Sequence, residues 1–178
     1  MNIHRLLKHA ANGLSIGLGL SLLPLLAVGL PAAEQSAERI PRPAPQFVLK
    51  DLSDKEVRLS DFDGKALLVV FWATWSPPCQ KQLKSLIELQ QQYADKKFTV
   101  LGISLDDKGT GPVKAFATSS KINFPVAMAD YNVVQDFGGV TAVPTIFLIE
   151  KNHNIIQKYI GVTEKTTIEN ELKSVLER

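Results

Sequence analysis

The residue best suited to chemistry in this chain is Cys79, which closes the run Ser76-Pro77-Pro78-Cys79 and is the only cysteine among 178 residues. A lone cysteine cannot form an internal disulfide, so its thiol is buried and inert, paired with another molecule, or reactive. Ser76 fits a helix N-cap, with Pro77 at the first helical position. It is read as a cap alone or as a cap that also orients a substrate. Its hydroxyl ionises too weakly to attack without a base, and the run places no histidine beside it. Trp72 and Trp75 bracket the run. Trp72 suits core packing at a strand end, whereas Trp75 suits a surface ring beside a binding groove. His153 falls in a turn with no second His, Cys or carboxylate at metal-ligand spacing, so it is expected to be solvated. The pattern implies neither a metal site nor a cofactor.

The elements that must position this run follow from apolar periodicity. Ala66 to Trp72 is continuously apolar and rich in β-branched and aromatic residues, which predicts a strand buried on both faces. After Pro77-Pro78, Leu83, Leu86, Ile87 and Tyr93 alternate with Gln and Lys, giving an amphipathic helix over Cys79 to Tyr93. A second buried strand is expected at Phe98 to Ser104, then a loop holding Asp106, Asp107, Gly109 and Gly111, and a helix at about Pro112 to Ser119. Such a strand, helix, strand unit is nearly always a right-handed crossover between parallel strands. Shorter strands are expected at Phe47 to Leu49 and Val57 to Leu59, and a helix from about Val133 to Phe137 that stops at Gly138-Gly139. Thr145 to Ile149 and Ile155 to Ile160 flank Lys151-Asn152-His153-Asn154 as an antiparallel hairpin, and Glu164 to Leu176 closes the chain as a helix. The predicted class is α/β: one central mixed β-sheet with helices on both faces.

Ahead of this domain, Arg5 and Lys8 precede residues 9–33, which carry no Asp, Glu, Lys or Arg. Residues 1–33 read as a signal peptide or an N-terminal membrane anchor. Gly17, Gly19, Pro24 and Gly29, with the small-residue ending, favour cleavage, while the length of the uncharged run favours an anchor. Either way the remainder is expected outside the cytoplasm, periplasmic or otherwise extracytoplasmic, as a soluble protein or one associated with the inner membrane through residues 9–33. Residues 34–45, rich in proline, read as an extended linker, leaving 46–178 as the folded domain. The formal net charge of +2 excludes a polybasic nucleic-acid binder, and without residues 1–33 the chain carries 18 residues of each sign. Net charge therefore specifies no partner charge.

The run from Phe71 to Cys79, together with Val143-Pro144-Thr145, resembles the thioredoxin superfamily, and within it the exported, membrane-tethered TlpA/ResA-type branch. The resemblance extends over about Ile40 to Arg178 and includes Leu59-Ser60-Asp61 and Gly64-Lys65 ahead of the central strand. It implies a thioredoxin-like fold and a disulfide reductase acting on thiol- or disulfide-containing protein clients, of a kind that often supports cytochrome c assembly or periplasmic thiol repair. In that branch the helix opens on Cys-x-x-Cys; here Ser76 stands at the attacking position, so the intramolecular dithiol cycle is unavailable. Val70 stands where thioredoxins proper carry a buried aspartate, Gln82 where the branch usually has glutamate, and Lys84 where it has a kinking proline. The resemblance also implies a cis peptide before Pro144, which would leave the Val143 backbone free to pair with an extended client; the plainer reading is a strand-entry proline. Substrate contacts are thus expected at Trp75, Pro77, Pro78, Val143 and Pro144, with Cys79 and Ser76 at the reactive position. Three readings stand: a monothiol oxidoreductase acting through Cys79, a client-binding module without turnover, and a peroxidase like the peroxiredoxins, which place Thr or Ser three residues before their cysteine. Against the last, Trp72 replaces the peroxiredoxin proline and no arginine occurs between Arg58 and Arg178.

Overall fold

The computed structural model describes residues 41–178. The expected leader at 1–33 and most of the linker lie outside the described residues, among which no helix is long and apolar enough to cross a membrane. In chain order the elements are β1 (Arg42–Pro43), β2 (Val48–Asp51), β3 (Glu56–Arg58), a single 3-10 turn (Leu59–Phe62), β4 (Ala66–Trp72), α1 (Pro77–Tyr93), β5 (Phe98–Ser104), α2 (Thr110–Ser119), β6 (Val126–Met128), α3 (Tyr131–Asp136), β7 (Thr145–Ile149), β8 (Asn154–Ile160) and α4 (Lys165–Leu176). They form one sheet in the order β1-β8-β7-β4-β5-β6-β2-β3.

The continuous apolar runs occupy the centre. Strand β4 pairs in parallel with β5 through Leu68↔Val100 and Trp72↔Ser104, and antiparallel with β7 through Val69↔Phe147. Every residue of β4, β5 and β7 is buried. Because side chains alternate along a strand, β4 feeds two cores. Leu68, Val70 and Trp72 pack beneath α1 and α4 with Leu83, Leu86, Ile168 and Leu172. Leu67, Val69 and Phe71 face the other layer, where Phe71, Phe137 and Phe147 meet edge to face with ring centroids 5.0–5.9 Å apart. The mixed sheet covered on both faces is the expected architecture.

Several boundaries differ from the sequence reading. Arg42–Pro43, expected in the linker, pairs with Ile155 and Asn154 of β8, and the Ala44 amide donates to the His153 carbonyl at 2.8 Å, so the sheet begins ahead of residue 46. Strand β6 was not anticipated: three residues carry too little periodicity, and they become a strand because β5 and β2 flank them. Leu59 opens the 3-10 turn rather than ending a strand, since the Arg58 amide donates to the Asp61 carboxylate at 2.8 Å and turns the chain. His153 is not simply solvated. It is half-buried at a backbone φ of 64°, with Nε2 3.2 Å from an Asp63 carboxylate oxygen. Helix α3 stops where expected, as Gly138 and Gly139 take φ of 93° and 69°.

One glycine is fixed by a close approach. A Cβ on Gly102 would lie 2.9 Å from Trp72 Nε1 and 3.3 Å from a Phe124 ring carbon. The indole is fully buried and its N–H has no hydrogen-bond partner, so it has little room to yield. Gly102→Ala is expected to lower unfolding stability by about 1–3 kcal/mol through overpacking, read as a fall in urea midpoint at unchanged slope.

Candidate functional site

The ends of β4, β5 and β7 assemble the site. Helix α1 begins at Pro77, with prolines occupying its first two positions, where a missing N–H costs nothing. Ser76 is the N-cap, with φ −96° and ψ 110°, and its Oγ accepts the Cys79 backbone N–H at 3.4 Å. The capping reading of Ser76 is therefore realised in the geometry, and the side chain is only 4% exposed.

Cys79 is the third residue of α1, inside its first turn, and is completely buried. Burial pushes its thiol pKa above the usual 9.0; hydrogen bonding from Ser76 and Ala73 opposes this, and the nearby Asp106 charge adds to it. A thiol in that setting is a poor nucleophile at neutral pH, because the thiolate is the reactive form. Trp75 stands in contrast at 66% exposure, while Trp72 is buried in the core as its strand-end position suggested.

Asp106 was read from sequence only as a loop residue, yet it organises the approach to the helix. Its carboxylate accepts the Thr74 N–H at 2.9 Å, the Thr74 hydroxyl at 2.5 Å and the Ser104 hydroxyl at 2.7 Å. Gln80 Nε2 closes the same loop onto the Thr74 carbonyl at 2.9 Å. No local signal could have revealed this. Thr74 and Asp106 are 32 residues apart, and only the parallel Trp72↔Ser104 register makes them neighbours.

The Val143-Pro144 peptide is cis. Thr145 pairs with Phe71, so Val143 and Pro144 lie beside the end of β4, from which Trp75 and Ser76 follow. Pro144 is buried and its carbonyl accepts the Gly161 N–H at 2.8 Å; Val143 is half-buried and packs on the core cluster that contains Cys79. Among the described residues, no backbone hydrogen bond outside the helices and strands uses Val143. Pro77 and Pro78 are exposed between Trp75 and Cys79. Gln82, one turn beyond Cys79, is buried; its Oε1 accepts the Thr163 N–H at 2.7 Å, tying α1 to the loop after β8, while its Nε2 has no partner. Among the described residues, no group of three or more His, Cys, Asp or Glu could hold a metal ion.

A helix capped by the motif serine, a buried Cys79 and a cis proline at the neighbouring strand end define a thioredoxin-like domain. The chain belongs to the AhpC/TSA family, whose pattern its residues 40–158 match. It is 32% identical over 143 residues to the thiol-disulfide oxidoreductase ResA of Bacillus thuringiensis (strain Al Hakam), covering 80% of this chain and 82% of that protein. It is 35% identical over 136 residues to the ResA of Bacillus thuringiensis subsp. konkukian, covering 76% and 78%. Among solved structures it resembles a thiol:disulfide interchange protein of the thioredoxin family from Chlorobium tepidum TLS, with 30% identity, a TM-score of 0.70, and 79% of this chain and 99% of that one covered. These findings bear out the thioredoxin-like fold and the ResA-type resemblance.

Proposed function

We propose that this protein is an extracytoplasmic relative of the thiol-disulfide oxidoreductases that holds an extended, thiol- or disulfide-bearing protein segment between Trp75 and Val143-Pro144 and does not turn over disulfides alone. The observation that carries this reading is the contrast at the motif: the sole cysteine is completely buried behind a capping serine, while Trp75 beside it is 66% exposed. The unengaged Val143 backbone supports it, since main-chain pairing to an extended client needs no thiol. Residues 1–33 would deliver the domain across the membrane, as a cleaved signal or as an anchor.

The monothiol reading draws on the place of Cys79 in the first turn of α1, where backbone N–H groups favour a thiolate. Burial opposes it and raises the thiol pKa, and the same burial weighs against a peroxidase. The test is calorimetric titration of the full-length protein with a disulfide-bearing peptide, with released thiol measured in parallel. Binding without thiol release is expected, and Trp75→Ala should weaken it about ten-fold, as for an aromatic anchor at an interface. Sustained thiol release with no added reductant would overturn the proposal.

A further inference from the structure

Among the described residues four large hydrophobic side chains are exposed: Val48 at 49%, Trp75 at 66%, Tyr131 at 76% and Ile160 at 48%. All four lie at one edge of the sheet. Trp75 follows the end of β4, and Tyr131 begins α3 just after β6, which runs parallel to β4 and β5. Ile160 ends β8 opposite Thr145, the first residue of β7. Val48 opens β2, which runs antiparallel to β6 with Lys50 opposite Met128, so Val48 lies beyond the same end of β6. The opposite edge bears no exposed large hydrophobic among the described residues. Single exposed apolar residues are ordinary, but a row along one edge that also contains the motif marks an interaction surface.

The loops divide by charge in the same way. At the motif edge, the loops at 73–76, 105–109, 129–130, 137–144 and 161–164 carry Asp106, Asp107, Asp130 and Glu164 against Lys108, while two further cations nearby, Arg58 opposite Val48 and Lys165 at the start of α4, are paired with Glu56 and Glu88. At the other edge, the loops at 52–55, 63–65, 94–97, 120–125 and 150–153 carry six lysines against four acidic residues. A chain balanced overall thus presents an acidic, apolar edge around its motif.

We infer that this edge, from Ile160 past Trp75 to Tyr131, docks an extended protein segment that is both apolar and cationic. The inference rests on the client-holding reading and specifies the client's chemistry. Ile160 and Trp75 are separated by two strand positions, as are Trp75 and Tyr131. At about 4.8 Å per strand the row is about 19 Å long, a span covered by about six residues of extended chain. The apolar side chains supply desolvated contact, and the acidic loops select Lys or Arg between the segment's own apolar residues. An anionic membrane surface fits poorly, because the loops would repel its headgroups.

The experiment uses two labelled seven-residue peptides with leucine at the first, third, fifth and seventh positions, which share one face of an extended chain, one with lysine and the other with glutamate elsewhere. Fluorescence anisotropy with the full-length protein is expected to show about ten-fold tighter binding of the lysine peptide, a preference shrinking as salt rises to about 0.5 M. Asp107→Lys with Glu164→Lys should abolish the preference, and Tyr131→Ala should weaken the lysine peptide about five-fold, at unchanged melting temperature. Equal binding of the two peptides, lost in Trp75→Ala, would overturn the inference and leave the groove reading standing. Binding indifferent to Trp75→Ala would overturn both. Tyr131→Ala that reduces sedimentation with phosphatidylcholine vesicles while sparing peptide binding would assign the row to a membrane and overturn the inference.

Discussion

Ser76→Cys is expected to give this protein an intramolecular dithiol cycle, which one cysteine cannot complete, and with it reductase turnover. The cap geometry is the reason. Ser76 Oγ already receives the Cys79 N–H at 3.4 Å at the start of a 17-residue helix, so sulfur at that position would be bathed by the backbone N–H groups and positive helix end that favour a thiolate. Cys79, buried in the parent, would become the resolving thiol: the new thiolate attacks the client disulfide, a mixed disulfide forms, and Cys79 displaces the client thiol while an internal disulfide closes. With a recycling dithiol present, reduction of a protein disulfide should rise by about a thousand-fold over the parent, which has no second thiol to complete the cycle. A folded variant that stays at background would show that more than sulfur is missing. Val70 and Gln82, the latter held by Thr163 and offering no carboxylate, are the places to look for the absent proton acceptor.

Native Cys79 is expected to resist an aromatic disulfide reagent that labels the unfolded chain at once. Its side chain has no exposed surface, so the reagent reaches it only through local opening, and labelling in buffer should be about a thousand-fold slower than in denaturant. Labelling goes through the opened chain, so its rate should rise about ten-fold per pH unit up to 9.0, the unfolded value, and then level off. Between that pH and the higher native value the unfolded chain binds fewer protons than the folded one, so stability falls as pH rises. Fast labelling of the folded protein at neutral pH would restore the monothiol enzyme as the leading reading.

Much of the fold is legible in the sequence because its central strands are buried on both faces. Ala66 to Trp72, Phe98 to Ser104 and Thr145 to Ile149 emerge as strands with the boundaries their apolar runs predict. Helix ends marked by local chemistry are also legible: Ser76 caps α1, and Gly138-Gly139 stop α3. Elements that depend on a neighbour are not. Strand β6 has three residues and β1 two, and each exists because a longer strand offers unpaired backbone groups beside it. Helices α2 and α3 begin two residues ahead of their expected starts, at Thr110 and Tyr131, where residues ahead of the apolar positions complete the first turn.

The sequence by itself determined the chemistry this protein lacks, since one cysteine in the whole chain forbids an internal disulfide whatever the fold. It also indicated a capping serine, because N-cap preference is local. Only the tertiary structure decided that Cys79 has no exposed surface, that Asp106 gathers Thr74 and Ser104 to shape the approach to α1, and that His153 meets Asp63. The balance of 18 acidic and 18 basic residues beyond residue 33 specified no partner. The sheet topology separates those charges, because parallel strands send their following loops to one edge and collect Asp106, Asp107 and Asp130 around the motif. Charge summed along a chain carries no direction, and direction is what folding adds.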